Sequence, residues 1–177
     1  MKKLFSAFAF AALALSATSA MAQKEDKAKR PSPPAVASAT IGSGAKITID
    51  YSQPSVKGRV IGKDLEPMEG EVWRAGANEA TVFETSKNVT VEGKSLPAGK
   101  YAFFTVKKGD QWTLIFNKTW KTWGAYDYNK NRNNDALSVT VTGSKAPAFA
   151  EKLAYKVAAD GTVSLLWGEH QVVFHVK

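Results

Sequence analysis

The chain has 177 residues, no cysteine, and 24 Lys and Arg against 16 Asp and Glu, a formal net charge of +8. The missing thiols exclude disulfides, thiol nucleophiles and Cys-ligated metal centres, so stability has to come from packing. No Lys/Arg block interleaves with aromatics as a single-strand nucleic-acid groove requires, so no nucleic-acid partner is expected and the positive balance serves mainly solubility.

Lys2 and Lys3 precede an apolar run from Leu4 to Ala17, and Ala20-Met21-Ala22 follows as an A-x-A cleavage site. This pattern predicts a secretory signal peptide over 1–22 and a periplasmic or secreted bacterial protein. Gln23 rather than Cys follows the cut, so no lipid is attached. The apolar run is shorter than the ~20 residues that span a bilayer, so no transmembrane anchor is expected. Residues 23–34 are charged and then Pro-rich (RPSPP), which predicts a disordered linker. Leader and linker carry about half of the +8, leaving about +4 on one domain predicted for 35–177.

From there apolar residues recur with period two. Ile47, Ile49 and Tyr51 alternate with Thr48, Asp50 and Ser52; Leu137, Val139 and Val141 alternate with Ser138, Thr140 and Thr142; Val172, Phe174 and Val176 close the chain in the same way. These are half-buried strands. Further strands are predicted over 36–41, 77–85, 89–92, 100–107, 111–117, 153–158 and 162–167. Turns are predicted at Glu92-Gly93-Lys94, Pro97-Ala98-Gly99, Lys108-Gly109-Asp110, Asp160-Gly161 and Gly168-Glu169, where Gly supplies positive φ. The one predicted helical piece is 146–152. About ten short strands at hairpin spacing, with little helix, predict an all-β fold: an antiparallel β-sandwich, with an up-and-down barrel as the alternative.

Catalytic signatures are sparse in this sequence. His170 and His175 lie five apart on one strand and point to opposite faces, so no metal site is expected. Nucleotide loops and a G-x-S-x-G elbow are missing from the sequence, and no cofactor is expected. Asp127, Asn129, Asn131 and Asp135 mimic a calcium loop, but Arg132 replaces the turn Gly and Ser138 the bidentate Glu, so an Asn-rich surface turn is predicted.

Two segments break the strand pattern. EVWRAGANEAT, from Glu71 to Thr81, gathers Trp73, Arg74, Asn78 and Glu79 around a small Ala-Gly-Ala elbow, and SVKGRV sets Lys57 and Arg59 two apart. Either these line a recognition pocket for an anionic or hydroxyl-rich ligand, or Arg74 or Arg59 forms an internal salt bridge with Glu79. NKTWKTWGAYDY, from Asn117 to Tyr128, crowds Trp120, Trp123, Tyr126 and Tyr128 after a strand. Such rings make a stacking platform or an apolar plug; Trp123 is predicted to plug and Trp120 to be exposed. The candidate ligand-binding residues are therefore Lys57, Arg59, Trp73, Arg74, Asn78, Glu79, Trp123, Tyr126 and Tyr128, converging on one site.

These segments also carry a resemblance. ITIDYSQPSVKGR, GEVWRAGANEATVFE, LPAGKYAFFTV, WTLIFNK and WGAYDY resemble, in order and spacing, the secreted bacterial family known as domain of unknown function 2911. The resemblance covers about 33–177 and implies a secreted, β-rich protein. Gln53 stands where the family pattern has Arg before Pro54, and DLEPMEGEVWR is more acidic than its usual LVPYGEVWR. If that Arg belongs to a ligand site, the departure implies a different contact here.

The leading expectation is a non-enzymatic envelope protein that binds a small molecule, a glycan or an envelope protein. One alternative is a hydrolase of glycan or peptide using Glu79 and a second carboxylate such as Asp127. Another is a structural or assembly protein acting through exposed sheet edges.

Overall fold

The computed structural model describes residues 26–177. The predicted signal peptide and the first three linker residues lie outside the described residues. In chain order the strands are β1 (Pro34–Thr40), β2 (Lys46–Ser52), β3 (Val72–Trp73), β4 (Thr81–Thr85), β5 (Val89–Val91), β6 (Lys94–Leu96), β7 (Gly99–Lys108), β8 (Gln111–Asn117), β9 (Asp135–Thr142), β10 (Ser144–Val157) and β11 (Thr162–His175).

The larger sheet runs β1-β2-β4-β7-β8-β9, every pair antiparallel. β3 shares one side of β7 with β4, which pairs with the first half of β7 while β3 takes the second. The order is open at β1 and β9, so the sheet is one layer of a sandwich rather than a closed barrel. The other layer joins the hairpins β10-β11 and β5-β6. Val91 bridges Val176, and Thr90 and Lys177 exchange backbone hydrogen bonds at 2.7 and 2.9 Å.

The period-two residues meet between the layers. Ile47, Ile49, Phe83, Phe103, Leu114 and Phe116 face inward from the larger sheet and Leu153, Leu165, Trp167 and Phe174 from the other, all buried. Phe103 stacks on Phe174 with centroids 5.8 Å apart, and Tyr51 meets Tyr155 edge-on at 4.8 Å. Burial of these rings, each removing ~150–250 Å² from water, replaces the missing cross-links as the main stabilising term. At the predicted β5-β6 turn, Glu92 and Gly93 are both left-handed, φ 48° and 77°, as a two-residue hairpin with right-handed strand twist demands.

The structure corrects several predicted elements. Residues 146–152 form no helix; they belong to β10, paired with β11 through two register shifts. Cross-strand pairing overrides the weak helical preference of so short a segment. Gly168-Glu169 is no turn: β11 continues through it, with Gly168 at φ 58° opposite Ala150. Residues 77–80 lie outside β4 in an irregular elbow. Within the described part of the predicted linker, Lys27–Lys29 form a 3-10 turn, and β1 starts at Pro34. Among the described residues no helix is long and apolar enough to cross a membrane.

A second, smaller core lies on the outer face of the larger sheet. Ala102, Phe104 and Ile115 point outward from β7 and β8, and Ala80 and Tyr128 cover them, with Trp120 and Ala125 at the edge. Apart from Ala80, the cover is the excursion between β8 and β9, which includes α1 (Tyr128–Asn131) and a 3-10 turn at Arg132–Asn134. Buried Asn117 ties it down. Its Nδ2 donates to Asn131 O at 2.8 Å and to Asp135 Oδ1 at 2.7 Å, while its Oδ1 accepts from Thr119 N at 2.8 Å. Tyr128 donates its hydroxyl to Asp135 Oδ2 at 2.8 Å; burial and this bond push the phenol up to about 12.

Candidate functional site

The Arg74–Ala80 elbow is built from conformations that only an enclosing fold maintains. Ala75 and Asn78 are left-handed, φ 52° and 59°, which costs about 1–2 kcal/mol for Ala and less for Asn. Two hydroxyls hold the strained turn, Tyr155 at 2.7 Å and Thr81 at 2.9 Å, both donating to Ala75 O. Gly76 is required by close approach: a Cβ there would stand 2.7 Å from Thr81 Oγ1 and 3.3 Å from Ser52 O.

The aromatic loop docks against this elbow as a short antiparallel bridge, Glu79 opposite Trp123. Ala80 N donates to Thr122 O and Gly124 N to Asn78 O, each at 3.0 Å. Arg74 is clasped between the two segments. Its Nη1 donates to Asn78 O at 2.9 Å, and its guanidinium lies 5.7 Å over the Tyr126 ring. Gly124, at φ 66°, leaves room for both; a Cβ would meet the Tyr126 ring at 2.9 Å and Arg74 Nη1 at 3.3 Å.

A groove of about 370 Å³ opens beside the bridge, lined among others by Asp50, Glu79, Trp120, Lys121 and Trp123, with Lys27 at its rim. Trp123 is 53% and Tyr126 75% exposed. Trp120 is half-buried at the edge of the second core, with Lys100 and Lys121 ammonium groups 5.3 and 5.0 Å from its ring. The predicted roles of the two tryptophans are therefore reversed. The elbow bridge turns Trp123 outward, whereas Trp120 packs against the second core.

The segment before β1 straps the elbow. Lys27 Nζ sits 2.7 Å from Glu79 Oε1 and Arg30 Nη1 2.8 Å from Oε2. The Arg30 side chain is only 10% exposed, its guanidinium 5.7 Å over the Trp123 ring, and Asn78 Nδ2 donates to Ser32 O at 3.0 Å. Partial burial of Glu79 works to raise its pKa, but the hydrogen bonds from Lys27 and Arg30 prevail and hold it at about 2 instead of 4.5. A folded value below the unfolded one means that this contact adds stability fully above pH 4.5 and loses it as pH falls towards 2. Because the Glu79 side chain is 37% exposed, solvent screening keeps the effect small. We expect the melting-temperature gap between the wild type and Glu79→Gln to be constant above pH 4.5 and to close near pH 2. A gap that does not vary over that range would remove the strap's ionic role.

A second cleft, about 210 Å³, lies on the other side of the elbow, with Arg59, Glu66, Trp73, Arg74, Asn78 and Trp167 in its lining. The predicted single site thus divides. Glu79, Trp123 and Tyr126 gather at the aromatic loop; Arg59, Trp73, Arg74 and Asn78 line the second cleft. Trp73 does so as a buried wall, its Nε1 bonded to Gly76 O at 3.1 Å.

Two predicted residues join neither. Lys57 is left-handed and exposed, held through its backbone N–H on Glu151 Oε1 at 2.8 Å. Tyr128 is sealed in the second core, because α1 turns it towards Phe104 at 5.2 Å. Among the described residues no salt bridge links Glu79 to Arg74 or Arg59, since Lys27 and Arg30 occupy both its oxygens. Asp127 pairs with Lys130 at 3.0 Å, at the start of α1. Sequence reasoning missed Lys27, Arg30 and Asp50. The basic spacing in the tail was the only signal for the first two.

Residues 32–176 match the family model described as "Protein of unknown function (DUF2911)". The chain belongs to that family. No curated protein and no solved structure matches it.

Proposed function

We propose that this family member is an exported, non-catalytic binding protein of the bacterial envelope, working through the groove beside Trp123. The observation that carries the reading is the rigid exposure of Trp123. Its backbone is bridged to Glu79, so a large apolar ring is held in solvent beside a groove containing Asp50 and Lys121. The groove's volume falls in the ~300–1,000 Å³ range of small-ligand sites, which combine apolar walls with a few polar groups. A ring face next to fixed charged donors and acceptors suits a hydroxyl-rich ligand such as a glycan, whose C–H face stacks while its hydroxyls bond. The signal-peptide pattern at 1–22 supports export.

Glu79 is unsuited to the general-acid half of the hydrolytic alternative. A carboxyl held at about 2 carries no proton to donate near neutrality, and both its oxygens are engaged by Lys27 and Arg30.

We expect Trp123→Ala to abolish glycan binding, read by intrinsic fluorescence titration or a glycan array, while stability falls by about 1–2 kcal/mol, the size of a partly desolvated cation–π contact with Arg30. Glycan binding that survives Trp123→Ala would refute the groove as the working site.

A further inference from the structure

We infer that the second cleft is an oxyanion site in which Arg59 and Arg74 hold a carboxylate or phosphate group, independently of the aromatic groove. Arg59 and Arg74 both line the same cleft. Among the described residues neither forms a salt bridge. Their bonds within the protein go instead to backbone carbonyls. Arg59 donates from Nε to Val56 O at 3.1 Å and from Nη2 to Ser55 O at 2.7 Å; Arg74 donates from Nη1 to Asn78 O at 2.9 Å. These contacts fix the two forks in place yet leave their charge uncompensated, and a guanidinium retains further N–H donors for a planar or tetrahedral oxyanion.

The surroundings sharpen that field. Trp73 and Trp167 are buried in the wall, and their indole N–H groups are already used, on Gly76 O at 3.1 Å and Glu66 O at 2.7 Å. They present carbon to the cleft, which lowers the local dielectric and strengthens a charge pair. Glu66 is the one acid in the lining. Its Oε2 accepts from Met68 N at 2.8 Å, so two guanidiniums against one carboxylate leave the cleft positive. At about 210 Å³, it is below the ~300 Å³ at which drug-sized pockets begin. It suits a single oxyanion with a short organic body.

The test is a titration of the purified protein with sodium phosphate and, separately, sodium succinate, against sodium chloride at matched ionic strength, read by calorimetry and thermal shift. Phosphate or succinate is expected to raise the melting temperature beyond chloride, and the tighter of the two identifies the source of the group. Arg59 is exposed, so Arg59→Gln keeps the fold; it and Arg74→Gln are each expected to weaken binding about tenfold or more. Trp123→Ala is expected to leave anion binding unchanged, which separates this site from the glycan groove. Stabilisation no greater than that by chloride, or anion affinity unaltered in Arg59→Gln, would overturn the inference.

Discussion

Phe116→Ala is expected to cost about 3–5 kcal/mol, the range of a large aromatic removed from a packed core. Phe116 is fully buried near the middle of the sandwich. Its ring meets Phe83 edge-on at 5.0 Å and Phe103 at 5.2 Å within its own sheet, and Phe174 of β11 at 6.4 Å across the layers. Truncation opens a cavity whose walls are other rings fixed on paired strands, so the site collapses poorly and the cost falls at the upper end. The denaturant midpoint should fall while its slope stays constant, since the surface exposed on unfolding hardly changes. A loss below about 1 kcal/mol would show that the ring does not bridge the layers.

One residue further along β8, Asn117→Ala is expected to cost about 3 kcal/mol and to loosen the binding surface. The strand's alternation points Asn117 to the opposite face, where it is buried and makes two hydrogen bonds to the excursion between β8 and β9 and a third to the Asp135 carboxylate at the start of β9. Each neutral bond contributes about 0.5–1.5 kcal/mol net and the charged one about 1.5–3, and the groups left behind are part-buried. The excursion carries Trp120, Trp123 and Tyr126. Hydrogen exchange should therefore speed up over 118–134 while β7 and β8 stay protected. Uniform acceleration across the sheet would mean that Asn117 supports the whole fold rather than the loop.

The two substitutions sit side by side and act on different cores, which shows what a strand pattern conveys. Phe116 was legible as an inward residue because its neighbours alternate. Asn117 was legible only as a strand end, since nothing local says that an outward-facing Asn will be covered. The same limit reversed Trp120 and Trp123: both are aromatic, three apart on a loop, and only the bridge to Glu79 decides which faces solvent. The helix predicted at 146–152 failed for a related reason, because its pairing partner β11 comes after it in the chain and its local preference is weak.

By itself, then, the sequence determined the all-β antiparallel architecture, most strand positions, the β5-β6 and β7-β8 turns and the family. Each depends on period-two burial, on glycine's access to positive φ or on ordered motifs, all of which are written within a few residues. Tertiary structure alone decided the sites. Glu79 takes its partners from 52 and 49 residues away, in a tail that reads as a solvated linker. Arg74 chooses a carbonyl and a tyrosine ring over the carboxylate five residues along. Charged side chains satisfy one another over a few ångströms of space, not along the chain. Which charges meet is fixed only when the strand register brings the elbow, the aromatic loop and the N-terminal strap together.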